Sequence, residues 1–242
     1  MSALLSVSGL SKSFGAVTVA DATSFDVASG EAVGILGPNG AGKTSLFNLI
    51  TGALRPDQGQ ISFAGRDITT HSAAARCKHG IARSFQIPQP FGGMTVFENA
   101  LVGATQGAGL SGREAEYHAL AVLDETGLLE KANTRAGTLT LLERKRLELT
   151  RALSAKPRLL LLDEIAGGLT EAECHSLIET IQAIHKRGTT IIWIEHVVHA
   201  LLAVVERLIV IDFGKKIAEG EPKAIMESPE VKEIYLGVDP DV

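Results

Sequence analysis

The eight residues GPNGAGKT, Gly37 to Thr44, lie between an apolar run, EAVGILG, and an amphipathic one, KTSLFNLITGAL. Glycines and a lysine at this spacing, entered from a strand and left through a helix, match the phosphate-loop pattern at all its fixed positions. The glycines let backbone N–H groups curl round an oxyanion, and the helix N-terminus adds a partial positive charge. Lys43 is placed to reach the β and γ phosphates and the Thr44 hydroxyl to hold Mg²⁺. Gly37, Pro38, Asn39, Gly40, Ala41, Gly42 and Ser45 complete the expected cradle.

A strand, loop and helix in this order call for a parallel sheet, and the second half of the chain supplies one. From Arg158, RLLLL reads as a buried strand, EAECHSLIETIQAIHKR as a helix, TTIIWIE as a strand, HVVHALLAVVE as a helix and RLIVID as a strand. Such alternation predicts an α/β fold with right-handed crossovers. Residues 4–36 carry the strand-like runs LLSVSGL, ATSFDVA and EAVGILG, and QISFAG and GIARSFQ add two more. After the Pro- and Gly-rich IPQPFGGM, helical periodicity runs from about Val96 to Ala155. The ending, with Pro222 and Pro229, reads as short helices docking at the surface. A length of 242 residues suits one domain, 1–242, with a helical part at about 90–155 and a C-terminal docking segment at about 214–242.

RLLLLDEIAGGL supplies the second chemical element. Four leucines make a strand buried on both faces, and Asp163 and Glu164 emerge at its C-terminal edge, where ligands sit in open α/β sheets. Asp163 is placed to reach Mg²⁺ and Glu164 to polarise an attacking water.

Other classes are disfavoured. A net charge of −5 offers no footprint for a polyanion, so no nucleic-acid partner is expected. The basic cluster Arg144, Lys145, Arg146 and Arg151 has no interleaved aromatics and is expected to be a solvated helix face. Cys77 and Cys174 have no metal-ligand spacing and suit a reducing compartment. The start, MSALLSVSGLSKSFG, reads as a first strand rather than a signal peptide. Charges at Glu195, His196, His199, Glu206 and Arg207 break up the most apolar region, short of the roughly 20 apolar residues a spanning helix needs. The other histidines, His71, His79, His118, His175 and His185 with His199, show no metal spacing, so no ion beyond Mg²⁺ is expected.

In their order these features resemble the ATP-binding-cassette ATPases, the nucleotide-binding subunits of ABC transporters, over nearly the whole chain. An aromatic (Phe14, in KSFG) precedes the phosphate loop, a glutamine ends a strand after it (Gln86, in ARSFQ), and a histidine (His196, in IIWIEH) follows the Asp163–Glu164 pair and the GGLT turn. The resemblance implies a RecA-like parallel-sheet core, an N-terminal antiparallel β subdomain and an α-helical signature subdomain. It further implies that Phe14 stacks on adenine, Gln86 touches Mg²⁺ or the attacking water, and His196 hydrogen-bonds the γ phosphate. ATP and Mg²⁺ are the implied cofactors.

The family's signature, typically Leu-Ser-Gly-Gly-Gln, aligns with Leu139, Thr140, Leu141, Leu142 and Glu143. Both glycines are replaced. In the head-to-tail dimer of this family the signature closes over the partner's γ phosphate, and leucine Cβ atoms now stand where close approach is needed. Two expectations are open: an asymmetric pair with a different subunit carrying an intact signature, or a variant signature that still works.

The ARSFQ segment followed by MTVFENALVG, the IIWIEHVVHAL region and the ending FGKKIAEGEPKAIMESPEVKEIYLG resemble the branch that powers importers of branched-chain amino acids and related amides or urea. That branch implies a second cassette subunit, membrane permeases, an external solute-binding protein and a place at the cytoplasmic face of the inner membrane. A lipopolysaccharide-export ATPase, a non-hydrolysing regulatory subunit and a soluble ATPase acting on ribosomes or DNA are the alternatives. The last would be expected to carry paired cassettes, coiled arms or a basic surface.

Overall fold

The structure is a computed structural model and describes residues 3–236. It divides into two units. Residues up to Ser72 together with those from Ile192 form the first, and Ala73–Ile191 form the second.

In the first unit β1 (Ala3–Phe14) and β2 (Val17–Ala28) make an antiparallel hairpin in which Phe14 faces Val17 across the turn. A fully buried β3 (Ala32–Leu36) leads through the glycine loop into α1 (Lys43–Thr51), which ends on Gly52 in the left-handed region. β4 (Gln58–Phe63) pairs antiparallel with the free edge of β1, and β5 (Arg66–Asp67) adds the last strand in the order β2-β1-β4-β5.

The second unit begins with α2 (Ala73–Lys78) and β6 (Ile81–Arg83). The helical region that follows is not continuous. It comprises α3 (Val96–Val102), a π-helical turn over Gly103–Gly107, α4 (Gly112–Glu125), two 3₁₀ turns and α5 (Leu141–Ser154). Gly103, Gly107, Gly109 and Gly112 interrupt the periodicity. Val96, Ala100, Ala119, Leu123, Leu128, Ala136, Leu139 and Leu147 form its core. β7 (Leu159–Asp163), buried at every position, lies parallel to β6 with Arg83 opposite Leu161, and α6 (Glu171–Lys186) follows.

The helical region is packed closely enough to test. A Cβ built on Gly103 would lie 2.5 Å from the Arg151 carbonyl oxygen and 2.8 Å from Ser154 Cβ. Alanine would gain up to about 1 kcal/mol of helix propensity. A clash with backbone costs more, about 1–3 kcal/mol. Gly103→Ala is therefore expected to lower the urea midpoint, and an unchanged or raised midpoint would contradict this packing.

β8 (Thr190–Ile194) starts in the second unit and ends in the first. There the chain continues through α7 (Val198–Leu202), β9 (Arg207–Asp212), β10 (Lys215–Gly220), α8 (Pro222–Glu227) and α9 (Pro229–Leu236). β9 is parallel to β3 and forms an antiparallel hairpin with β10. Parallel strands beside an antiparallel four-stranded sheet give the α/β class expected from the sequence. Among the described residues no helix is long and apolar enough to cross a membrane.

Candidate nucleotide site

The phosphate loop joins β3 to α1 within the first unit, and two of its glycines, Gly37 and Gly42, are required by close contacts. A Cβ on Gly37 would fall 2.1 Å from the Ile211 carbonyl oxygen. Gly42, at φ 101°, is in the left-handed region and its Cβ would fall 2.2 Å from the Val19 carbonyl oxygen. The Gly214 N–H donates to the Ala41 carbonyl at 2.9 Å, tying the loop to the β9–β10 turn. Lys43 is buried, and its ammonium donates to the Gly37 and Pro38 carbonyls at 2.7 and 2.9 Å. α1 opens on Gly42 with no side-chain cap and no acidic residue in its first turn. Pro38, Asn39, Gly40 and Ala41 line an open cavity of about 340 Å³ with Asp212 and Phe213.

Phe14 ends β1 with 53% of its surface exposed, and the Lys12 ammonium is 5.4 Å from its ring centroid. His196 is exposed just beyond β8. Its backbone N–H and that of Val197 donate to the buried Glu195 carboxylate at 3.0 and 3.3 Å. Glu195, read from the sequence only as an interruption of an apolar run, thus shapes the turn that carries His196.

The acidic pair Asp163 and Glu164 belongs to the second unit. Asp163 is buried at the C-terminal end of β7, where its Oδ2 accepts from Arg83 Nη2 at 2.5 Å. Asp163 Oδ1 is buried without a hydrogen-bond partner. An orphaned carboxylate oxygen suits an oxygen-seeking divalent cation, so this residue fits Mg²⁺. Among the described residues no group of three or more His, Cys, Asp or Glu could hold a metal ion. An ion here would therefore draw most of its ligands from water and phosphate oxygens, as Mg²⁺ commonly does.

Glu164 follows with φ 46°, a left-handed backbone that a non-glycine residue adopts at a cost of order 1–3 kcal/mol. Gln86 Nε2 donates to Glu164 Oε2 at 2.5 Å, and the Lys145 ammonium lies 3.5 Å from the Glu164 carbonyl oxygen. Gln86 does not end a strand as its resemblance implied. β6 stops at Arg83, and beyond it the Ser84 N–H donates to the Leu161 carbonyl at 2.9 Å. Pro88 and Pro90 follow and cannot donate to a ladder.

Residues 20–167 match the ABC transporter family, and residues 215–241 match the branched-chain amino acid ATP-binding cassette transporter family. The chain belongs to the ABC transporter family. It is 35% identical over 249 residues to the high-affinity branched-chain amino acid transport ATP-binding protein BraF of Pseudomonas aeruginosa, with 97% of this chain and 98% of that protein covered. It is 35% identical over 237 residues to the lipopolysaccharide export system ATP-binding protein LptB of Acidithiobacillus ferridurans, with 98% of each covered. The ADP conformation of a solved ATP-binding cassette superposes with a TM-score of 0.88 at 32% identity, covering 98% of this chain and 100% of that one.

As a cassette of this family the chain is an ABC ATPase, and α5 is the helix at whose start the signature was expected. Thr140 is the N-cap: its hydroxyl accepts from the Glu143 N–H at 3.4 Å while the Glu143 carboxylate accepts from the Thr140 N–H at 2.9 Å. The Thr140 N–H is the first cause holding the Glu143 carboxyl below its ordinary range, and Lys131, 3.2 Å away, adds to it. Leu139 is buried, Leu142 half-buried and Leu141 exposed.

The basic cluster is not the solvated face expected for it. Only Arg144 is exposed, and its Nε donates to the Leu139 carbonyl. Lys145 is buried, Arg146 donates to Ser176 Oγ at 2.7 Å, and Arg151 donates to the Gln89 carbonyl and Glu148 at 2.8 Å each. Arg151 also lies 4.7 Å from the Phe91 ring centroid. Burial is the main influence on Glu148 and raises its carboxyl above the ordinary range. Side chains from several elements of this unit surround α5, so its cations are used internally.

Proposed function

We propose that the chain binds ATP with Mg²⁺ and hydrolyses it to power an importer of branched-chain amino acids or related amides. The match of residues 215–241 to the branched-chain amino acid cassette family carries the importer reading, and relatives named for that transport support it. The lipopolysaccharide-export relative at equal identity is the observation that favours a second reading, export.

In this reading the loop Gly37–Ser45 holds the phosphates, Phe14 stacks on adenine, and Lys43 donates to the β and γ oxygens. Glu164 accepts a proton from the water that attacks the γ phosphorus in line as the bond to ADP breaks. Gln86 orients Glu164 and that water, and His196 donates to the γ phosphate. Mg²⁺, held by Thr44, Gln86 and Asp163, would supply charge neutralisation on the phosphate oxygens. Thr140, Leu141, Leu142 and Glu143 would face the nucleotide of a second cassette subunit.

The chain would then act as one cassette, with helical residues at about 90–155 and a docking segment at about 214–242, of which 237–242 lie outside the described residues. Its place would be peripheral, on permease subunits at the cytoplasmic face of the membrane, with an external binding protein delivering the solute.

The test is ATP turnover by the purified chain alone, with and without Mg²⁺. Mg²⁺-dependent turnover supports hydrolysis by a homodimer with this signature. Nucleotide binding without turnover, restored by a co-expressed second cassette with signature glycines, supports the asymmetric pair. No nucleotide binding at all would refute the proposal. Copurification with permeases for a branched-chain amino acid, against lipopolysaccharide-export membrane subunits, separates import from export.

A further inference from the structure

Arg83, the last residue of β6, plays no part in the phosphate-loop chemistry, yet its guanidinium is buried against the carboxylate proposed to face the metal. The two side chains are 6% and 3% exposed and 2.5 Å apart. A carboxylate this buried is costly unless paired, and the Arg83 guanidinium supplies the pairing charge. One oxygen of Asp163 is thereby neutralised, while Oδ1 has no protein partner.

A cation approaching Oδ1 meets the fixed positive charge of Arg83 a few ångströms away, and that repulsion is weakly screened in a buried setting. It also finds too few protein ligands to complete its shell, since no cluster of three acidic, His or Cys side chains is present among the described residues. Nucleotide phosphates would supply both the missing oxygens and the missing negative charge.

We infer that Arg83 is a built-in counter-ion of Asp163 that lowers the affinity for a free divalent cation, so that the ion is taken up with the nucleotide and not before it. This rests on the proposed role of Asp163. Arg83 is a positioning residue in this scheme: it touches the carboxylate and neither substrate nor reacting water.

The experiment measures Mn²⁺ binding to the nucleotide-free full chain by the loss of the free-ion paramagnetic signal. Arg83→Gln keeps a hydrogen-bond donor and removes the charge, and is expected to tighten Mn²⁺ binding about tenfold or more. Arg83→Lys keeps the charge and should stay within about twofold of wild type. Equal or weaker binding in Arg83→Gln overturns the inference, as does an equal gain in Arg83→Lys.

If Arg83→Gln loses its fold in a chelator, Mn²⁺ without nucleotide must restore it, and failure to do so overturns the inference as well. Adding Asp163→Asn to Arg83→Gln should abolish the gain. A gain that survives in the double variant refutes Asp163 as the metal-side carboxylate rather than the effect of Arg83.

Discussion

Glu164→Gln is expected to reduce steady-state ATP turnover by about 10²–10⁴-fold, the range associated with losing a positioned general base. Nucleotide affinity should change by less than about twofold. The exchange is close to isosteric, and the amide oxygen of glutamine can still accept from Gln86 Nε2, which now donates to Glu164 Oε2. The left-handed backbone at φ 46° is about as costly for glutamine as for glutamate, so no new strain is introduced. What changes is the ability to take a proton from water. Phosphate release and equilibrium binding, measured side by side, separate chemistry from affinity, and wild-type turnover in this variant would remove Glu164 from the mechanism.

Lys43→Ala should act on binding instead, lowering ATP affinity by roughly 100-fold, which corresponds to about 3 kcal/mol. Two losses combine. The ammonium no longer reaches phosphate oxygens, and the Gly37 and Pro38 carbonyls lose the donor that braces the loop at 2.7 and 2.9 Å. Each is a charge-assisted hydrogen bond, stronger than a neutral one. Calorimetric titration with ATP measures the effect, and a parallel thermal melt distinguishes it from loss of fold. A wild-type dissociation constant would mean that backbone N–H groups alone hold the phosphates.

How much of this was legible in the sequence depends on how local each interaction is. GPNGAGKT can be read directly because its geometry is set by neighbours: a strand before, a helix after, and at Gly37 and Gly42 positions where a Cβ would strike backbone. Asp163 and Glu164 are legible for a related reason, since four consecutive leucines identify a buried strand and so its C-terminal end. Arg83 lies 80 residues from Asp163, and only the parallel pairing of β6 with β7 brings them together. Nothing in ARSFQ marks the arginine as different from a surface cation. The misjudged cluster on α5 has the same cause. Spacing identifies which residues share a helix face, but Lys145 is buried with the Glu164 turn against it, and Arg146 is half-buried with Ser176 of α6 as its partner. The capping residues Thr140 and Glu143 are spaced as a capping box, a local signal that the comparison with signature glycines obscured.

The way the helices begin bears on where stray anions can settle. Among the described helices of nine residues or more, α4, α5 and α6 each carry a glutamate in the first turn, and α5 and α6 close theirs into capping boxes. The starts of α5 and α6 are thereby neutralised by carboxylates from within the chain. α1 alone of this group begins bare, with a glycine cap and no acid. In a cytoplasm-like mixture of sulfate, phosphate and nucleotides, such a distribution would act as internal competition. Of these four starts, those of α5 and α6 are closed by tethered carboxylates at high effective concentration, and the start that carries no acid is the one beside Lys43.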